Sequence, residues 1–269
     1  MKKLLITDLD DTLYGWLEFF IPAFTAMVDK VVEITGIDKE QIMMEYKERH
    51  QQYGSVEYPY ISLTLPSILD KYKGKTQEYI QNELQEAFHR FNSIRKERLV
   101  LFSGVEETLK ILQEKGVTII GYTESSQENG YYRLKKLGID KYFKYVYSSK
   151  SNYNAPICDE KVKILETKKP DEKVLLRICD EEGIDRESVV YIGDSLTKDI
   201  YMATLAGVTS VWANYEREPN DYYKTLVKIS SWTEKDFQRE KELKTIWEKG
   251  NYKPDYEVRN FSEILRVFS

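Results

Sequence analysis

The chain has 269 residues, 41% hydrophobic and 13% aromatic, and its 40 basic and 45 acidic side chains leave a net charge of -5. That length has room for a core domain and a second module, while the slight acidity offers no general attraction for a nucleic-acid backbone. No apolar run is long enough to span a bilayer, Asp8 and Asp10 interrupt the signal-like opening of the chain, and Cys158 and Cys179 lack metal-ligand spacing; the expectation is a cytoplasmic protein with reduced thiols that engages neither membrane nor nucleic-acid polymer.

The first predicted element is an apolar strand over 3–6 that runs directly into Asp8, Asp10 and Asp11. Residues two apart on an extended chain share a side, so Asp8 and Asp10 can face one site, with Thr12 just beyond. Read alone, these acids could equally end the strand and cap a helix. Residues 14–100 lack the alternation of strand and helix and read as several amphipathic helices punctuated by Gly36, Gly54, Pro59, Pro66 and Gly74, with Asp38 and Gln41 spaced as a capping box. This is an inserted helical module. Its candidate ligand contacts, Tyr14, Trp16, Arg49, His50, Tyr53 and Arg90, read equally as surface or core residues.

From 103 onward a repeating unit appears: a polar cap, a helix ended by glycine, then a β-rich run. Ser103 and Glu106 are spaced to cap a helix to Lys115, with a strand over 117–122; Ser125 and Glu128 open a helix to Leu137, with a strand over 144–147. A later helix ends at Gly183 before a strand over 189–192, and another at Gly207 before 210–213. Residues 148–167 read as a polar loop; 214–253 is irregular apart from a charged helix starting near Ser231 or Thr233; a short strand over 256–258 and a helix from Ser262 close the chain. The sum predicts a doubly wound α/β sheet with right-handed crossovers, with ligands beyond the carboxyl ends of the strands.

The second acidic cluster sits after the 189–192 strand, where Gly193 allows close backbone approach to Asp194 and Asp199. Two strand ends rich in carboxylates form one hard-cation site, and Mg2+ suits it because this ion keeps open positions for water and substrate phosphate. Asp199 can also serve its own helix dipole. The 117–122 strand ends at Thr123-Glu124, a hydroxyl beside the same mouth followed by the free N–H groups of a helix start. Lys168 and Lys169 supply positive charge, although a loop lysine pair is ordinarily a solvated feature.

In this order, Asp8, Asp10 and Thr12, then Thr123, then Lys169-Pro170, then Gly193-Asp194-Ser195 with Asp199, the chain resembles the haloacid dehalogenase-like hydrolase superfamily, in its phosphatase branch with a helical cap between the first and second motifs. The resemblance implies a core of 1–13 and 101–269 with a cap of 14–100. It implies a Mg2+-dependent phosphoric monoester hydrolase in which Asp8 attacks phosphorus, Asp10 serves as acid and base, and Thr123, Glu124 and Lys169 line the phosphate position. The metal would be held by Asp8, Asp194 and the carbonyl of Asp10, with Thr12 and Asp199 in support. Glu124 departs from the Asn or Asp of many relatives, and Lys168, Lys161 or Lys163 could replace Lys169. A phosphomutase using the same aspartyl phosphate and a silent binding module of the same fold are the competing readings. The opening 8–14, with Ile37-Asp38 and 53–55, is also similar to the pyrimidine-nucleotidase branch, and an aromatic-rich cap could hold a base by stacking, although aromatics at helical spacing are more often core. A small-molecule phosphate ester is the expected partner, and the sequence gives no oligomeric state.

Overall fold

The computed structural model describes residues 2–150 and 159–269, so Cys158 lies outside the described residues, whereas Cys179 is a buried free thiol. The chain forms two compact units, one of residues 1–15, 100–217 and 238–269, the other of residues 16–99 and 218–237.

Among the described residues, the first unit is built on a parallel sheet of seven strands: β1 (Leu4–Thr7), β2 (Thr118–Ser126), β3 (Tyr145–Ser149), β4 (Val162–Leu165), β5 (Val189–Gly193), β6 (Thr209–Ala213) and β7 (Tyr256–Val258). Their order is β4-β3-β2-β1-β5-β6-β7. The chain therefore winds outward from β1 through β2, β3 and β4, then returns to β1's other side with β5. That reversal makes the gap above β1 and β5 the topological switch point, where open α/β sheets bind ligands. β1 is central because all four of its residues are apolar or hydroxylic and fully buried, as a strand covered on both faces requires. Leu4, Ile6, Ile120, Tyr122, Val189 and Tyr191 share one face and pack on Leu175, Ile178 and Met202 of the covering helices.

The sheet carries one strand more than the sequence pattern reveals at its outer edge. β4 falls inside 148–167, read above as loop, and three of its four residues are only partly buried. β2 also continues past Thr123 to Ser126 with an irregular register after Tyr122, so Thr123 lies within the strand. The expected caps at Ser103 and Ser125 do not form. Gly104 is the N-cap of the helix Val105–Glu114, at φ 78°, and Ser126 that of Gln127–Leu137, neither with a side-chain capping bond.

The second unit is helical. Asp38 caps Lys39–Tyr53 through the Gln41 N–H, and Gly54 ends that helix in the left-handed conformation at φ 69°. Phe20 and Phe24 of the helix Trp16–Thr35 form its aromatic core with Phe91 and Tyr46, with ring centroids 4.9–6.4 Å apart. The bounds differ from the sequence reading by one or two residues at 14–15 and 100, and more substantially because 218–237 clusters with this unit rather than with the sheet. The cause is specific: Ile229 is buried, its carbonyl lies 2.6 Å from His50 Nδ1, and Gln51 Nε2 donates to the Trp232 carbonyl at 2.9 Å. His50, read above as a candidate ligand contact, is thus a core residue. Tyr14 belongs to the sheet unit and is fully buried there.

Candidate active site

Both acidic segments emerge at the switch point. The Asp8 N–H donates to the Ile192 carbonyl at 2.9 Å, which extends the β1–β5 ladder one residue and fixes where the Asp8 side chain leaves the sheet. At the end of β5, Trp212 Nε1 donates to the Asp194 carbonyl at 2.9 Å. A single π-helical turn, Leu196–Ile200, capped by Ser195, then brings Asp199 back beneath the strand end. Asp199 packs so closely on Gly193 that a Cβ there would sit 2.4 Å from its Cγ. Any side chain at this position would have to displace the Asp199 carboxylate.

Carboxylate oxygens of Asp8, Asp194 and Asp199 lie within 4.8 Å of one another. Lys169 Nζ stands among them, donating to Asp8 Oδ1 at 2.5 Å and to Asp199 Oδ1 at 2.8 Å. It also lies over the rings of Tyr122 and Tyr191, 4.9 and 5.7 Å from their centroids, where a cation meets the negative face of the π-system. Asp199 is held from three further directions or partners: Tyr191 OH donates to its Oδ1 at 2.7 Å, the Ser195 N–H to its Oδ2 at 3.1 Å, and Gly193 closes the remaining side. Asp199 therefore anchors the lysine. Thr12 Oγ1 donates to Asp8 Oδ2 at 3.2 Å, and Arg239 reaches the Lys169 carbonyl.

The charge balance is negative, with three acids around one lysine. Burial holds the Asp8 carboxyl well above the usual carboxylate range, against the pull of Lys169, and Asp199 and Asp194 add to the rise. Burial, then Asp199 and Asp11, push Asp194 up to about 7, while Lys169 and Arg217 pull it down. Burial opposes the charge on Lys169, yet Asp199 and Asp8 keep its pKa well above the ordinary lysine value. A bound cation reverses this cost for the acids. The donor set fits Mg2+: it is all oxygen, and Mg–O bonds near 2.1 Å put opposite ligand oxygens about 4 Å apart, a span this cluster can close around one ion. Asp199 carries three hydrogen bonds, from Lys169, Tyr191 and Ser195, against two on Asp8, from Lys169 and Thr12, so Asp8 and Asp194 are the more open pair that would hold it.

Asp10 is not in that cluster. Its side chain is bound by Arg133 Nη1, at 2.7 Å to Oδ1, and by Ser125 Oγ, at 2.6 Å to Oδ2, so any share in a metal would come from its backbone carbonyl. Thr123 is buried in β2, and its Oγ1 accepts from the Ser125 N–H at 3.0 Å. The Glu124 carboxylate pairs with Lys198 at 3.1 Å, and Lys198 also meets Glu240 at 3.2 Å. A carboxylate repels phosphate, so position 124 can offer an anion only its backbone N–H. Two of the alternative lysines go elsewhere: Lys161 Nζ donates to the Asp140 carbonyl and Lys163 pairs with Glu181.

Sequence reasoning missed Tyr191, Trp212, Ser125 and Arg133. The tyrosines had a signal, since Tyr122 and Tyr191 interrupt otherwise aliphatic strand ends. Arg133 had one too. It falls with Gly130, Tyr131 and Leu134 on the buried face of Gln127–Leu137, an odd place for a guanidinium without an acid to meet.

The sequence profile of the haloacid dehalogenase-like hydrolases matches residues 5–213. The chain is 26% identical over 215 residues to a glyceraldehyde 3-phosphate phosphatase of Methanopyrus kandleri, covering 78% of this chain and 83% of that protein. It is 24% identical over 239 residues to a phosphoglycolate phosphatase of Nitrosococcus oceani, covering 85% and 95%. Among solved structures, a 2-haloacid dehalogenase from Pseudomonas syringae superposes over 100% of this chain and 98% of that one, with a TM-score of 0.60 at 22% identity. A magnesium-bound haloacid dehalogenase-like hydrolase of Bacillus subtilis does so over 100% and 99%, with a TM-score of 0.52 at 18% identity. With the profile spanning both acidic strand ends and every strand but the last, the chain belongs to the haloacid dehalogenase-like hydrolase family.

Proposed function

We propose that this hydrolase is a magnesium-dependent phosphatase that cleaves small phosphate monoesters through an aspartyl phosphate formed on Asp8. The observation that carries the reading is the Asp8, Asp194 and Asp199 cluster with Lys169 at its centre, at the switch point of the sheet. The phosphatase names of the curated relatives support it.

A bound Mg2+ would neutralise charge on the transferring phosphoryl group and keep Asp8 ionised. Lys169 adds a fixed positive charge to the same position, oriented by Asp199 and Tyr191 and costing no reorganisation during reaction. Asp8 supplies the electron pair that forms the new O–P bond while the ester P–O bond breaks toward the leaving oxygen. Asp10 gives that oxygen a proton. In the second displacement Asp10 takes a proton from water, the water oxygen bonds to phosphorus, and the bond between phosphorus and Asp8 breaks, which restores both carboxyl groups. Splitting hydrolysis this way replaces one difficult step by two easier ones. The helical unit is proposed to act as the cap that selects the ester.

The test is release of inorganic phosphate, with and without Mg2+, from 4-nitrophenyl phosphate, phosphoglycolate, glyceraldehyde 3-phosphate and nucleoside monophosphates. Turnover of at least one ester that depends on Mg2+ is expected. No release from any of them at saturating Mg2+ would remove the phosphatase reading.

A further inference from the structure

Arg133 is a buried guanidinium that the chemistry above does not use. Its side chain is 4% exposed, on the inner face of the helix that follows β2. There it donates to Asp10 Oδ1 at 2.7 Å and to Ser125 Oγ at 3.1 Å, while Ser125 Oγ donates to Asp10 Oδ2 at 2.6 Å. The three groups close a triangle. Burying a guanidinium is costly unless its charge is matched, and a salt bridge that only joined helix to sheet would not need the carboxylate two residues beyond the nucleophile.

We propose that Arg133, with Ser125, is the positioning pair for Asp10, fixing the plane of its carboxylate so that one edge meets the leaving oxygen and then the attacking water. A carboxylate has about four acceptor sites, and the pair engages one on each oxygen. Tyr14 also meets the Asp10 and Arg133 side chains from the buried side, and the Asp10 side chain is still 23% exposed. Arg133 Nη1 makes both of its bonds, one to Asp10 Oδ1 and one to Ser125 Oγ, so the orientation of the carboxylate depends on the arginine and the serine acting together. Arg133 acts through Asp10 and touches no substrate, so this inference rests on the acid and base role of Asp10 proposed above.

The test separates that role from a structural one by the leaving group. The constant kcat/KM reports only steps through departure of the alcohol. An alkyl phosphate needs a proton at that point and 4-nitrophenyl phosphate does not. Arg133→Met should lower kcat/KM for the alkyl ester about 100-fold, the low end for loss of a general acid, and for the aryl ester by less than about 3-fold on the same principle. Arg133→Lys should recover part of the loss, and Ser125→Ala should give a smaller loss with the same preference. In an Asp10→Asn background, Arg133→Met should add nothing, the coupling expected of residues that work as one unit. Circular dichroism on each variant reports folding, and if Arg133→Met does not fold, Ser125→Ala and Arg133→Lys decide alone. Equal losses on both esters in the folded variants, or a further full loss in the Asp10→Asn background, would overturn the positioning role. If Asp10→Asn itself lowers both esters equally, the acid role of Asp10 fails, and this inference with it.

Discussion

At the scale of single residues, the site is a contest between burial and charge. Asp194 shows it most directly, because without a cation its pKa is pushed to about 7 by burial and by the acids beside it. Mg2+ binding must therefore compete with a proton near neutral pH. Below about pH 7 the protonated acid is a poor ligand, so apparent Mg2+ affinity should fall as pH drops from about 8 to 6. Calorimetric titration of Mg2+ in buffers of different ionisation enthalpy checks this through the protons released on binding. Affinity unchanged across that range, with no proton release, would show that Asp194 does not hold the ion. The convergence of Asp8 and Asp194 was legible in the sequence because two apolar strands each run into acids, which a single strand end would not have shown. The partners of Asp10 were not. Ser125 and Arg133 meet it only because β2 lies beside β1, and that adjacency belongs to the sheet order, not to any local pattern.

At the scale of elements, the turn after β5 decides the placement of Lys169, since Asp199 grips both the lysine and the strand end. Gly193→Ala would drive a methyl into the Asp199 carboxylate, 2.4 Å from its Cγ. Overpacking of this kind costs about 1–3 kcal/mol, and here the group displaced is the anchor of Lys169. Urea unfolding should show that loss, with kcat falling more than stability alone explains. A variant of wild-type activity would mean that Asp199 can move without consequence. The strands flanking β1 follow from continuous apolar runs bounded by glycine, whereas β4 escaped because an edge strand of the pattern Val-Lys-Ile-Leu, mostly half-buried, carries neither a full apolar run nor strict alternation. The Asp38 cap was readable because capping is local. Ser103 failed as a cap because Gly104, packed near Ser262, takes the left-handed turn that starts the helix instead.

At the scale of the whole molecule, the helical unit is stitched from two distant stretches of chain, and His50 is the stitch. Burial lowers its pKa to about 4, even with the Ile229 carbonyl favouring the charged form. Above the unfolded value near 6.5 the ring is neutral in both states and pH has no effect through it. Below 6.5 the unfolded chain takes up a proton that the folded unit refuses, so stability falls until pH reaches about 4; between pH 7 and 5 the loss is about 2 kcal/mol. Urea midpoints of wild type and His50→Gln across that window check the sign, and equal slopes would place the pH dependence elsewhere. The composition of this unit, read as 14–100, left out 218–237 because no local feature of that charged segment shows that Ile229 is buried against a helix far away in sequence. The covalent step on Asp8 is the centre of the proposed chemistry. Rapid acid quench during turnover of 4-nitrophenyl phosphate with Mg2+, followed by peptide mass analysis, should find one acid-stable, base-labile phosphoryl group on Asp8 and none in Asp8→Asn. Steady turnover with no phosphate on Asp8, or full activity in Asp8→Asn, would contradict it.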